Sequence, residues 1–227
     1  MTDASATSAR ETLGYTLWAV FRRDPSRPAP AGDLTAAVAE VEASGVVVRG
    51  FYDVSGLRSD ADLMVWLTGT GVAPEVLQAA LRTLRRAEPL GSLLPVWNAM
   101  GVHRDAEFSA SHLPAFMRGK DPEAWLTVYP FVRSYDWYIL PDDERRQMLA
   151  DHGRKGAAHR TVLSNTVASF ALGDYEWILA LEAPELVELV DLMRDLRQTE
   201  ARRHVREEVP FFTGRRIDLA EIAEVLS

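Results

Sequence analysis

A chain of 227 residues that is 47% apolar and 26% charged has the balance of an ordinary globular protein and is long enough to bury a sizeable core, as one large domain or two small ones. The absence of cysteine excludes disulfides, thiolate zinc sites, iron–sulfur clusters and thiol nucleophiles, so any metal must be held by His, Asp, Glu or Tyr. A net charge of −8 argues against nucleic acid as a partner, although Arg202, Arg203 and Arg206 form a local cluster suited to a small anion.

Residues 1–12 are small and polar and read as a flexible tail without a secretion signal. No run of about 18 apolar residues exists to span a bilayer, which makes the cytoplasm the expected compartment. Tyr15 to Arg22 alternates apolar positions and predicts a strand, followed by a proline-rich turn from Pro25 to Pro30 and a helix from Asp33 to about Ala43 with Asp33 as its cap. Val46 to Tyr52 and Leu63 to Thr68 are β-branched or aromatic and predict strands. Pro74 to Arg86 carries apolar residues at 76, 77, 80, 81 and 84, the repeat of an amphipathic helix, and Leu94 to Val102 closes a first βαββαβ set.

The second half repeats the order. Strands are expected near Trp125 to Val132, Val162 to Phe170, Glu176 to Glu182 and Val205 to Phe212, with helices from Asp142 to His152 and from Pro184 to Arg197. The segment Asp60 to Leu67 echoes Asp174 to Leu181 in pattern, and each is followed by a helix containing a leucine–arginine run. The expected fold is α+β: two tandem ferredoxin-like βαββαβ halves, residues 13–104 and 123–227, forming a dimeric α+β barrel within one chain, with 105–122 as the linker that carries His112.

The stretch from His112 to Gly153 contains the residue types that a haem-iron redox site requires: an axial imidazole, an oxidisable phenol and a distal base. Each has a plain alternative. His152, before Gly153 at the expected helix end, could simply cap carbonyls; Tyr129 could be strand packing; His112, ahead of Leu113-Pro114, could be a surface histidine in an extended segment. Pro130 beside Tyr129 lacks an amide donor, so the strand is expected to be interrupted or at an edge there. Arg133 shares a strand face with Tyr129 by alternation and could grip a carboxylate or point to solvent. His103, His159 and His204 read as surface or structural residues.

Four segments, Tyr129-Pro130-Phe131-Val132-Arg133-Ser134-Tyr135-Asp136-Trp137, Asp151-His152-Gly153, Gly173-Asp174-Tyr175-Glu176-Trp177 and Thr199-Glu200-Ala201-Arg202-Arg203-His204-Val205-Arg206-Glu207-Glu208, closely resemble the coproheme decarboxylases of the chlorite-dismutase-like superfamily, most of all their actinobacterial branch. The resemblance covers nearly the whole chain beyond the tail. It implies a haem-binding second half and hydrogen-peroxide-dependent conversion of two propionates of Fe-coproporphyrin III (coproheme) to vinyl groups, giving haem b. His152 would then be the axial iron ligand, Tyr129 the phenol that becomes a radical and takes hydrogen from the propionate, and His112 the distal base for peroxide. Arg133, Trp137 and Asn165 match positions near the propionates; which of Arg202, Arg203 and His204 points inward stays open. The resemblance also implies a homopentamer and a transient contact with the ferrochelatase upstream. A chlorite dismutase, which resembles a site with a distal arginine and no Tyr-Pro-Phe-Val-Arg segment, ranks behind; a non-catalytic haem carrier or sensor, and a metal-free structural barrel, rank lower still.

Overall fold

The computed structural model describes residues 13–29, 31–104 and 113–227. The chain divides into two compact units, one formed by the residues up to His103 together with Gly214–Ser227 and the other by Arg104–Thr213. No helix among the described residues is long and apolar enough to cross a membrane.

In the first unit β1 (Gly14–Arg22), α1 (Thr35–Ala43), β2 (Val47–Asp53), β3 (Leu63–Thr70), α2 (Pro74–Arg86) and β4 (Leu94–Val102) follow one another. The strands pair antiparallel in the order β4-β1-β3-β2. Leu17, Ala19 and Phe21 of β1 and Leu63, Val65 and Leu67 of β3 pack with Ala37 and Val41 of α1 and Leu77, Ala80, Leu81 and Leu84 of α2 in one core. Each fully buried large side chain there is worth about 1.5–3 kcal/mol relative to exposure. Helix α2 has the bounds its apolar repeat predicts, with proline in its first turn and Arg85 and Arg86 in its last, where they meet the negative end of the helix dipole.

Two local expectations change. Helix α1 starts at Thr35 rather than Asp33, because the Asp33 carboxylate takes the Thr35 backbone N–H (2.8 Å) and hydroxyl (2.6 Å) in a turn that precedes the helix. Strand β1 is buried on both faces, not one: Trp18 and Val20, on the side away from α2, are as inaccessible as Ala19 and Phe21. Trp18 lies 5.4 Å from Trp66, whose indole N–H donates to Thr16 Oγ1 at 2.6 Å. The near-continuous apolar run of β1 is that of a two-face-buried strand.

The second unit contains β5 (Trp125–Arg133), α3 (Asp142–Gly156), β6 (Leu163–Ala168), β7 (Trp177–Ala183), α4 (Leu186–Leu196) and β8 (Val205–Glu207). Its strands pair antiparallel in the order β6-β7-β5-β8. As in the first unit, the first strand lies between the third and the fourth. Helix α4 opens with a reciprocal capping box between Glu185 and Glu188. Short 3₁₀ turns at Ala115–Arg118, Trp137–Ile139 and Glu200–His204 connect the elements.

Three expectations for this unit are corrected. Of the two alternatives expected at Pro130, the interrupted strand is overturned, since the register with β7 continues through Pro130 opposite Ile178. The last strand is two strands: β8 ends at Glu207, residues 208–211 leave the ladder at Pro210, which has no N–H to donate, and β9 (Phe212–Ile217) resumes. The second half also does not run to residue 227. Ile217, Ile222 and Leu226 belong to the first core, with α5 (Ile222–Val225) after β9, and Arg215–Ile217 pair with Phe51–Asp53 of β2.

A Cβ on Gly214 would stand 2.6 Å from the Asp53 carbonyl oxygen and 2.9 Å from Val54 Cγ1, and a backbone oxygen cannot step aside. Gly214→Ala should lower folding stability by about 1–3 kcal/mol, read as a lower urea midpoint. Gly153→Ala, in the last turn of α3 where a Cβ meets nothing within 4 Å, should raise it by up to about 0.5–1 kcal/mol.

Candidate functional site

Alternation along β5 presents Tyr129, Phe131 and Arg133 on one face, with Leu179 and Trp177 of β7 opposite the first two. Tyr129 is only 3% exposed and packs with Leu189, Leu192 and Leu196 of α4. Its ring stacks on Phe211 at 4.3 Å and its hydroxyl donates to Met193 Sδ at 3.5 Å, a weak acceptor. Burial, and after it the Glu208 carboxylate, push its pKa well above the ordinary phenol range against the opposing pull of Arg197 and Arg202. The phenol therefore keeps its proton at any cellular pH.

Arg133 lies along the same face. Its guanidinium carbon is 4.2 Å from the ring centre of buried Trp137 and 4.9 Å from that of Phe131. Its backbone N–H donates to Glu176 Oε2 at 2.8 Å, and the same oxygen accepts from the Tyr138 hydroxyl at 2.9 Å. Trp177 Nε1 in turn donates to Tyr138 (3.0 Å), while its ring stacks with Phe131 and meets Phe170 edge-on. Tyr138 and Phe170 stay exposed, so these rings form an apolar wall that is not fully covered by protein.

His152 comes from α3. That helix runs one turn beyond His152 to Gly156, so the histidine is not the C-terminal cap that its place before Gly153 allows. The acidic residues of its first turn and the basic residues of its last suit the helix dipole, yet none of its side chains is fully buried: the stripe Arg145, Met148, Leu149, His152 is only half-covered. Burial, then the charges of Arg133 and Arg197, hold the His152 pKa below the ordinary histidine value. The imidazole is neutral at cellular pH, with one nitrogen lone pair for a metal. Its Nδ1 lies 3.4 Å from Thr199 Oγ1.

Beside Tyr129, Glu208 accepts from both Arg197 (2.9 Å) and Arg202. Arg197, Arg202 and Glu208, with Arg206, Glu207 and Phe211, line a cavity of about 440 Å³. The open choice in the terminal motif is settled: Arg202 turns to this cavity, Arg203 turns out to pair with Glu200 (3.2 Å), and His204 turns in, its Nδ1 2.9 Å from Ser134 Oγ and its ring 5.4 Å from Trp137. Sequence reasoning set His204 aside and missed Met193, Arg197, Thr199 and Phe211. The only available signal was proximity to the arginine-rich motif.

Asn165 is not brought to this face. It pairs with Ala180, itself opposite Val128, so it points to the other side of the sheet from Tyr129. There it is fully buried, donating to the Ala180 carbonyl (3.1 Å) and Glu182 Oε1 (2.9 Å) and accepting the Phe116 N–H (2.9 Å). It ties the 115–118 turn to β6. His112 lies outside the described residues. His159 is held by Asp195 at 2.8 Å, and His103 belongs to the first unit.

Among the described residues no three His, Asp or Glu side chains converge to hold a bare ion. One neutral imidazole, a partly uncovered aromatic wall and guanidinium groups around a cavity suit an iron already chelated in a flat, carboxylate-bearing macrocycle.

The chlorite dismutase family matches residues 27–217. The chain is 51% identical to a coproheme decarboxylase of Mycolicibacterium smegmatis, over 93% of each chain. It is 24% identical to the coproheme decarboxylase of Staphylococcus carnosus, over 73% of this chain and 72% of that one. Among solved structures, a tryptophan-to-phenylalanine variant of the chlorite dismutase of Candidatus Nitrospira defluvii, in complex with cyanide, superposes with a TM-score of 0.76 at 21% identity over the full length of both chains, a likeness of fold.

Because the Tyr129 hydroxyl makes only a weak bond to sulfur, Tyr129→Phe should change folding stability by less than about 1 kcal/mol, measured by urea unfolding of the apoprotein. For His152 the sign follows from its lowered pKa: the unfolded chain takes up the proton first as pH falls, so stability drops below about pH 6.5. His152→Gln should remove that part of the decline, read from urea midpoints between about pH 8 and about pH 5.

Proposed function

The chain belongs to the chlorite dismutase family, and from that premise we propose that it is a coproheme decarboxylase of haem biosynthesis. It uses hydrogen peroxide to convert two propionates of Fe-coproporphyrin III to vinyl groups, through a three-propionate intermediate, to give haem b. The observation that carries this reading is the buried, protonated Tyr129 phenol in the same unit as a neutral imidazole and a cavity rich in arginine. The 51% likeness to a coproheme decarboxylase supports the substrate class.

The residues divide the work. His152 holds the iron through one imidazole nitrogen. Arg133, Arg197, Arg202 and Arg206 supply forked donors for carboxylates, of which coproheme has four, and Phe131, Trp137 and Trp177 supply flat apolar contact for the macrocycle. His112 takes the proton of incoming peroxide. The bound iron, with peroxide, supplies the oxidising equivalents. Tyr129, having lost its hydroxyl hydrogen, draws a hydrogen atom from the propionate β-carbon; loss of carbon dioxide and one further electron leaves the vinyl group. Per propionate, one peroxide takes up two electrons and becomes two waters, so two peroxides are needed per haem b. On the same likeness we read the units as ferredoxin-like halves of a cytoplasmic homopentamer that receives its substrate from a ferrochelatase.

The test mixes apoprotein with ferric coproheme, titrates hydrogen peroxide and follows porphyrin mass. Two successive losses, each of carbon dioxide and two hydrogens, are expected from the wild type, while Tyr129→Phe binds coproheme and forms no vinyl product. Binding without mass change in the wild type would leave a carrier, and full product from Tyr129→Phe would remove the tyrosine from the chemistry.

A further inference from the structure

Thr199 stands where α4 gives way to the 3₁₀ turn Glu200–His204 and is 6% exposed. It is held at both ends of its short side: its carbonyl accepts the Arg202 N–H at 3.1 Å and its hydroxyl donates to the Leu196 carbonyl at 3.0 Å. A threonine hydroxyl has one proton. With that proton committed to Leu196, the oxygen has only lone pairs to offer His152 Nδ1, 3.4 Å away. Were the His152 hydrogen on Nε2 instead, two lone pairs would face each other across a buried gap, or the hydroxyl would have to exchange a 3.0 Å bond for a 3.4 Å one. Both alternatives cost free energy at the buried Thr199 hydroxyl.

We propose that Thr199 is a positioning residue that locks His152 in the tautomer with hydrogen on Nδ1, leaving Nε2 with the lone pair that ligates iron. The acceptor is a neutral hydroxyl. Two carboxylates of the same unit are engaged elsewhere, Glu208 by Arg197 and Arg202, Asp195 by His159. The ring is thus oriented without an anion to draw off its Nδ1 proton, and the ligand stays a neutral imidazole rather than acquiring imidazolate character. The meaning for catalysis rests on the proposed function; the tautomer is a property of the chain alone.

The test therefore has two arms. In the first, apoprotein labelled with ¹⁵N-histidine is studied near pH 8, about 1.5 units above the ordinary histidine value, by two-bond ¹H–¹⁵N correlation, with the His152 signals identified by their loss in His152→Gln. A protonated Nδ1 and an unprotonated Nε2 are expected for the wild type and Thr199→Ser, and a mixed or reversed pattern for Thr199→Val. Hydrogen on Nε2 in the wild type, or an unchanged pattern in Thr199→Val, overturns the lock; the wild-type spectrum decides this even if the valine variant does not fold. In the second arm ferric coproheme is titrated into each protein, with about a tenfold weaker Kd expected for Thr199→Val and near-wild-type affinity for Thr199→Ser. Unchanged affinity in Thr199→Val overturns the positioning role, whereas a wild-type protein that shows the expected tautomer but binds no coproheme overturns the functional reading and leaves the lock standing.

Discussion

The pleat of β5, held in register by β7 from Trp125 to Phe131, determines which side chains of the second unit can meet α3 and α4. A two-residue repeat sends Tyr129, Phe131 and Arg133 to one side, and a slip of one residue would replace them with Val128, Pro130 and Val132. Because α4 packs its leucines against Tyr129, the same register that orders the hydrophobic core also delivers the phenol to its buried position. Core packing and site construction are here one event, and the register that links them runs through Pro130.

Burial, and after it local charge, keeps the two central groups uncharged. Tyr129, which could only become negative, has Glu208 as its unfavourable neighbour; His152, which could only become positive, has Arg133 and Arg197. Burial acts in the same direction on both. For Tyr129 the nearby Arg197 and Arg202 pull the other way, so burial and Glu208 outweigh them, whereas both charges acting on His152 disfavour its ionisation. The Glu208 bridge to Arg197 and Arg202 is the joint of this arrangement, since it orders two guanidinium groups at the cavity and places the carboxylate near the phenol.

The two units share a chain order and a strand order but not a chemistry. In the first, the corresponding sheet is filled from both faces, with Trp18 and Trp66 in contact and Thr16 bonded to the Trp66 indole. In the second, α3 keeps a half-covered inner stripe and an aromatic wall remains partly open. A fully packed face has no room for a large planar ligand; a half-covered one beside a histidine does. The C-terminal residues complete the first core, and Gly214 is the point at which close backbone approach decides that return.

Short-range pattern made α2 legible to the residue, since apolar positions at 76, 77, 80, 81 and 84 admit one helical face, and it set the order strand, helix, strand, strand, helix, strand in both halves. The segments around Tyr129, His152 and Arg202 likewise pointed to the family from residue identity. What those segments could not carry was direction in space. Asn165 matches a family position yet faces away from Tyr129, Arg203 and Arg202 are adjacent yet diverge, and Thr199 and Met193 meet His152 and Tyr129 from more than 40 residues away along the chain. The run from Val205 to Phe212 is broken at residues 208–211, around Pro210, which has no N–H to donate there. The sequence by itself determined the elements and the chemical types available, because periodicity and residue identity are local; only the tertiary structure decided which of them meet, because strand register and helix docking are set by contacts between distant parts of the chain.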